Sequence, residues 1–236
     1  MRATQSVGRV FGLLLFVHLA TGLTVPYVLL RPLTSSPGFL INAAGSSFQA
    51  RLAVLLLFVG GAMTVGIAIA SWRVFRQHNE TLALWLLALA VVNLSLQAVE
   101  NGAWLSMVSL SQEYARTGAA DAGLFQSLAA VVGAAWRWVH YAHLLVVGSW
   151  IFVLYSLLYR SALVPRALSA VGLFTVMLHL AGITLPVFMG YRSMMMMGVP
   201  LGLSYLALTL WLIVKGFDES RRAVRAAAHE VELSGA

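Results

Sequence analysis

Six long apolar stretches occupy most of this chain, and they limit what it can fold into. A helix needs about 20 predominantly apolar residues to cross the hydrocarbon core of a bilayer. The stretches that meet this requirement cover about residues 10–30, 48–71, 82–107, 134–159, 165–189 and 194–215. We therefore predict an all-α fold in which residues 1–216 form a bundle of six transmembrane helices.

The composition excludes several classes of protein. Hydrophobic residues make up 60% of the chain and charged residues 10%, whereas soluble domains carry about 25% charged residues. Lipid must therefore be the main solvent. The chain has no cysteine, which excludes disulfides, thiolate nucleophiles and cysteine-based metal sites. Its basic residues are spread among loops and the C-terminal tail rather than interleaved with aromatic residues, which excludes a nucleic-acid partner.

Basic residues also predict the orientation of the bundle, because cytoplasmic loops carry an excess of lysine and arginine. With the N-terminus inside, ten basic residues fall on the cytoplasmic side and four on the outer side. The cytoplasmic set is Arg2, Arg9, Arg73, Arg76, Arg160, Arg166, Lys215, Arg221, Arg222 and Arg225. The outer set is Arg31, Arg51, Arg116 and Arg192. We therefore predict that both termini lie in the cytoplasm, as an even number of spans requires.

Two segments are not among the six apolar stretches. The first of them allows more than one interpretation. Residues 121–133 are apolar but too short to span a membrane. They form an interfacial helix, a re-entrant helix or an outward extension of the fourth span. Residues 217–236 are predicted to form a basic cytoplasmic tail, which continues the last helix and is held near anionic headgroups by its arginines.

The third span carries a stripe of polar side chains, namely Asn93, Gln97, Glu100 and Asn101. Spacings of four, three and one gather these residues onto one face of a helix. A glutamate in hydrocarbon costs at least a few kcal/mol, so Glu100 must face protein, a partner charge or water. This stripe is the strongest indication of a functional site in the sequence.

The fourth span supplies the candidate partners of Glu100. His140 and His143 are three residues apart and share a helix face. A rise of about 1.5 Å per residue places Glu100 ~27 Å and His140 ~28 Å above the cytoplasmic helix ends. Because one outer loop joins spans three and four, we expect Glu100 to lie within reach of His140 or Arg137. Trp136 fits an aromatic belt at the outer interface.

Two interpretations of this polar core remain open. In the structural one, a buried ion pair orients the two helices while Asn93, Gln97 and Asn101 form hydrogen bonds across the interface. In the functional one, a polar and partly hydrated pocket opens outward and takes a small solute, a proton or a metal ion.

A metal site is the most specific of these possibilities. His140, His143, His179 and Glu100 are weak candidates for a ligand set that would suit zinc, copper or iron. No established metal motif matches, and two histidines on one helix face cannot bind opposite sides of a haem iron. Residues 194–197 are four consecutive methionines, which are soft ligands for Cu(I). Because consecutive side chains diverge around a helix, we interpret them as flexible packing residues.

Several segments of the chain resemble one bacterial membrane family. They are Arg9-x-x-Gly12-Leu-Leu, Asn79-Glu-Thr81-Leu-Ala-Leu, Val99-Glu100, Tyr141-Ala-His143-Leu-Leu-Val-Val-Gly148, Leu157-Leu-Tyr159-Arg160-Ser161 and Val164-Pro165-Arg166-Ala-Leu168-Ser-Ala-Val-Gly172. Over residues 9 to 215 they resemble the family known as domain of unknown function 4386. Ser169-Ala170 departs from its pattern, which has a glycine there. The resemblance implies a six-span bacterial membrane protein and no activity, and it gives weight to Glu100 and His143.

We therefore expect a protein of the bacterial cytoplasmic membrane that is not an enzyme. It would bind or pass a small solute through an outward-facing polar core, or partner another membrane protein. The residues of that core are Glu100, Arg137, His140, His143, Asn93, Gln97 and Asn101. One alternative is an intramembrane metal or redox protein, and another is a hydrolase or transferase with Glu100 and His140 as an acid–base pair. We predict no cofactor.

Overall fold

The computed structural model describes residues 2–117, 121–192 and 195–218. Within these ranges the chain is helical almost throughout and contains no strand. Six of its helices are long and apolar enough to cross a membrane, where a helix satisfies its own backbone hydrogen bonds. The all-α, six-span architecture is therefore confirmed, and the chain is a multi-pass membrane protein. The predicted orientation of the termini stays a prediction.

The helices follow one another with short connections. In chain order they are α1 (Arg2–Thr24), a π-helical segment (Val25–Leu30), α2 (Arg31–Thr34), α3 (Phe39–Gly45), α4 (Ser47–Phe75), α5 (Glu80–Thr117), α6 (Ala122–Ser161), α7 (Arg166–Met189), a 3-10 turn (Met195–Gly198) and α8 (Val199–Lys215). The first candidate span runs from Gln5 to Thr34 and includes the π-helical segment and α2. Met194 and residues 219–236, which include most of the predicted tail, lie outside the described residues.

Two helices are longer than the apolar runs that predicted them. Helix α5 continues to Thr117 rather than ending near residue 107, and α6 begins at Ala122 rather than near residue 134. Residues 122–133 therefore belong to the same helix as the fourth span. The added ends contain good helix formers and no proline, so nothing in the local sequence stops either helix at the edge of its apolar run.

Proline interrupts the regular geometry of the first span. Pro26 lies at the start of the π-helical segment and Pro32 lies in the first turn of α2. Neither residue has a backbone N–H, so neither can extend the ladder of α-helical hydrogen bonds. The chain passes through a wider π turn between them, and Pro26, Leu30 and Thr34 all line a cavity described below.

The helices form two compact units, each with its own core. The first unit consists of Met1–Val17, Ile67–Ala88 and Gly148–Ala236, and the second unit of His18–Gly66 and Leu89–Val147. The core of the second unit is formed by Val25, Leu30, Leu33, Phe39, Ala43, Ala50, Ala53, Val54, Trp104 and Val108.

In the first unit, α1 packs closely against the end of α8. A Cβ added at Gly12 would lie 2.6 Å from the Leu212 Cβ and 2.8 Å from the Ile213 nitrogen. Gly8, one turn earlier, is in equally close contact with the backbone at Phe217. Small residues four apart let two helix backbones approach in this way. Phe217 also packs on Phe11, with 5.4 Å between ring centroids, and so closes this end of the unit.

Candidate functional site

The carboxylate of Glu100 lies at the centre of a buried hydrogen-bond cluster in the second unit. Only 4% of Glu100 is exposed. Its Oε1 accepts a hydrogen bond from the Trp136 indole at 3.1 Å and lies 2.9 Å from His140 Nδ1. Its Oε2 lies 2.8 Å from His143 Nδ1. Two helices, α5 and α6, are thus joined by three contacts to one carboxylate, which compensates for the cost of burying it.

A second chain of hydrogen bonds determines that His143 Nε2 carries a proton. The Thr64 hydroxyl donates to the Gly61 carbonyl at 2.7 Å, so its oxygen must accept the hydrogen bond from the Asn93 amide at 3.1 Å. The carbonyl oxygen of Asn93 therefore faces His143 Nε2, at 2.8 Å. A carbonyl accepts and never donates, so His143 Nε2 carries a proton. One further proton lies between His143 Nδ1 and Glu100 Oε2, so the two residues together carry no net charge.

Thr64 can be tested as the residue that orients this chain. Replacing Thr64 with valine keeps its volume and leaves the buried Asn93 amide without its acceptor, so we expect the free energy of unfolding to fall by about 1–2 kcal/mol. Thermal unfolding in one detergent measures the change. The control is Ser95→Ala on α5, whose exposed hydroxyl bonds only to its own helix, with an expected change within about 0.5 kcal/mol. Equal stability of the two variants would contradict the assigned orientation.

The other two amides of the stripe connect α5 to α4. Gln97 donates to the Asn101 side-chain oxygen at 3.0 Å, and Asn101 in turn donates to the Val54 carbonyl at 3.2 Å. Both amides are at least 95% buried. Gln97 also packs on Gly61, where an added Cβ would lie 3.2 Å from its side chain. These amides hold α5 in the rotation that directs Glu100 toward α6.

A cavity of about 380 Å³ borders this cluster within the second unit. Its polar lining consists of His18, Thr21, Thr34, Asn93, Gln97, Glu100, His140 and His143. The remaining wall is apolar or aromatic, as in most small-molecule sites, and includes Leu57, Leu144 and Val147. The volume lies within the range of about 300–1,000 Å³ that is typical of such sites.

Aromatic rings form one wall of the cavity. The Trp136 indole stacks on the His140 imidazole with 5.3 Å between centroids and 21° between planes. Trp104 packs on the other side of Trp136 at 5.0 Å, and Phe39 packs on Trp104 at 5.1 Å. The stacking holds the His140 ring in place, so that its Nδ1 stays directed at Glu100.

One residue of the predicted polar core, Arg137, and one weak metal-ligand candidate, His179, lie away from the cavity. Arg137 is exposed and is not among the residues that line the cavity. His179 belongs to the first unit, where its Nδ1 would lie 3.1 Å from a Cβ added at Gly198. Among the described residues, no group of three or more histidine, aspartate and glutamate side chains has an arrangement that could hold a metal ion.

Three residues that contribute to the site were not predicted from the sequence. Trp136, which fitted an interfacial belt, donates to Glu100 instead. Its spacing of four and seven residues from His140 and His143 places it on their face of α6 and was the available signal. His18 lines the cavity from the first span, and Thr64 orients Asn93 from α4. No local pattern distinguishes these last two from ordinary residues of a span.

Comparison with known protein families assigns the chain to one of them. The family model described as "Domain of unknown function (DUF4386)" matches residues 10–216, which is most of the chain. The chain belongs to this family. The resemblance seen in the sequence is therefore confirmed, and for DUF4386 the family description names no activity. No curated protein and no solved structure matches the chain.

Proposed function

We propose that this DUF4386 protein binds, or passes, a small solute in the cavity beside Glu100. The observation that carries the proposal is the convergence of an ion pair, a partly exposed imidazole and an aromatic wall on one cavity. A polar network that served only to join helices would be enclosed by them. Here the side chain of His140 is 36% exposed while its carboxylate partner is 6% exposed.

We also propose on which side of the membrane the cavity lies. With both termini in the cytoplasm, the second unit would lie on the outer side, and the cavity would face away from the cytoplasm. The excess of basic residues on the cytoplasmic side supports this orientation. The bacterial cytoplasmic membrane is the membrane in which we expect the protein, because the family resemblance is to bacterial proteins.

An acid–base enzyme is the second candidate, and one observation favours it. The His140 Nδ1 contacts the Glu100 carboxylate at 2.9 Å, and no described residue forms a hydrogen bond with its Nε2. A carboxylate that orients an imidazole in this way is the arrangement used in general acid–base catalysis. This candidate predicts that turnover of a cavity-bound substrate is lost in His140→Gln while binding is retained.

Solute binding can be tested without knowing the ligand. The full chain, purified in one detergent, is challenged with panels of small neutral, anionic and cationic solutes while its melting temperature and tryptophan fluorescence are recorded. We expect at least one class to stabilise the protein, by about 2.7 kcal/mol at a hundred times its dissociation constant. Trp104 and Trp136 line the cavity, so the same solutes should change the fluorescence.

Two variants identify where the solute binds. His140→Gln should lose the stabilisation, whereas Ser127→Ala should keep it, because Ser127 lies on the same helix, is exposed and bonds only to the Gly123 carbonyl. Uptake into proteoliposomes then separates passage from binding alone. A folded protein that responds to no class of solute by either readout would refute the proposal.

A further inference from the structure

The ligand of the cavity can be deduced from the charges already present there. Glu100 and His143 together carry no net charge, because their hydrogen bonds require one proton on His143 Nε2 and one between His143 Nδ1 and Glu100. The Glu100 carboxylate already accepts from Trp136 and both imidazoles. It therefore has little capacity left to bind a cationic ligand.

His140 is the group through which the cluster can change its charge. Its Nδ1–H donates to Glu100, and its Nε2 is the polar atom that remains for a ligand. A proton on that Nε2 would give the cluster a net positive charge. Charge buried in a membrane is costly unless an opposite charge accompanies it. Protonation of His140 and binding of an anion therefore favour each other.

The titratable groups that line the cavity around His140 come from α1, α5 and α6. Glu100 faces it from α5, His143 lies one turn along its own helix, and His18 lines the same cavity from α1. From α4 the cavity receives Leu57, Gly60 and Gly61, none of which titrates. Within the described residues, Glu100 is the one acidic side chain on the cavity wall, and it is already neutralised by His143.

We infer that the cavity takes a small monocarboxylate together with one proton, which is held between His140 Nε2 and the ligand's carboxylate. The proton comes from solvent and is returned to solvent when the ligand leaves, so the complex gains no net charge. Trp136, which stacks on His140, and Trp104, which is tilted by 59° against Trp136, offer an aromatic wall for the apolar body of such a ligand. This inference rests on the proposed solute-binding function and names the class of solute.

Calorimetry with benzoate tests the inference, because benzoate combines a planar ring with a carboxylate. Titration of the full chain near pH 7, in two buffers of different ionisation enthalpy, counts the protons exchanged. We expect uptake of about one proton per benzoate, and an affinity that falls about tenfold for each unit of pH increase. Benzamide has the same shape without the charge, and it should bind with no proton uptake and no pH dependence.

Variants test whether His140 is the side chain that takes up the proton. His140→Gln can still bond to Glu100 but cannot take up a proton, so proton uptake should vanish and benzoate affinity should fall at least about tenfold. Ser127→Ala should behave like the unaltered chain. Benzoate binding without proton uptake, or equal uptake in His140→Gln, would overturn the inference. If the solute panel stabilises the protein through neutral or cationic members alone, solute binding stands and the monocarboxylate is refuted.

Discussion

Replacing Glu100 with glutamine is expected to lower the free energy of unfolding by about 3 kcal/mol, because it removes the buried carboxylate to which Trp136, His140 and His143 are hydrogen-bonded. The amide would also direct its NH2 group at a ring nitrogen that now faces a carboxylate oxygen at 2.8 Å. Reversible unfolding in mixed detergent and denaturant measures the loss. Ser106→Ala is the matched control, since Ser106 is an exposed residue of the same helix and bonds only to Gly102.

A double-mutant cycle isolates the ion pair from the rest of the cluster. The pair Glu100→Gln with His143→Gln removes both charges, so its cost should be smaller than the sum of the single costs by about 2 kcal/mol. Additive costs would mean that the two residues do not stabilise each other. In that case Glu100 would not be the counter-ion of His143, and the proton assignment on which the inferred ligand depends would fail with it.

Gly12→Val should strongly destabilise the first unit. A valine places carbon atoms where the Leu212 Cβ is 2.6 Å and the Ile213 nitrogen 2.8 Å from the added Cβ, so α1 and α8 must separate. We expect a loss of about 3 kcal/mol, the upper end of the usual cost of overpacking. Thermal unfolding and the yield of folded protein report it.

The matched control for Gly12→Val is Gly22→Val, which makes the same substitution in the same helix. An added Cβ at Gly22 meets no atom within 4 Å, so this variant should retain the stability of the unaltered chain. Equal effects of the two substitutions would show that close packing against α8 is not the reason for glycine at position 12.

The number of spans was predictable because burying backbone in lipid leaves few alternatives to a long apolar helix. Hydropathy did not predict the ends of α5 and α6, because a helix need not stop where its apolar run stops. The contact between Glu100 and His140 was predictable from two adjacent antiparallel spans. The exposure of Arg137 was not, since it depends on the rotation of α6, and one residue along a helix turns a side chain by about 100°.

The hydrogen-bond partners of His143 could not be predicted from the sequence either. Asn93 and Thr64 contact each other across two helices, and their order of donation depends on the Gly61 carbonyl. A sequence records that these residue types are present but not which atoms meet. The family description could not supply this information, because it covers residues 10–216 without naming any role for them.

The close fit of α1 against α8 has a consequence for biosynthesis. Gln5 and Arg9 donate to the carbonyl oxygens of Lys215 and Val214, so side chains of α1 satisfy carbonyl groups at the end of α8, which is synthesised after it. At about 5–20 residues per second, roughly 10–40 s pass between the synthesis of Gly12 and that of Leu212. During that interval the face of α1 that contains Gly8 and Gly12 cannot pack against α8. The close contact between Gly12 and Leu212 can therefore form only after α8 has been synthesised.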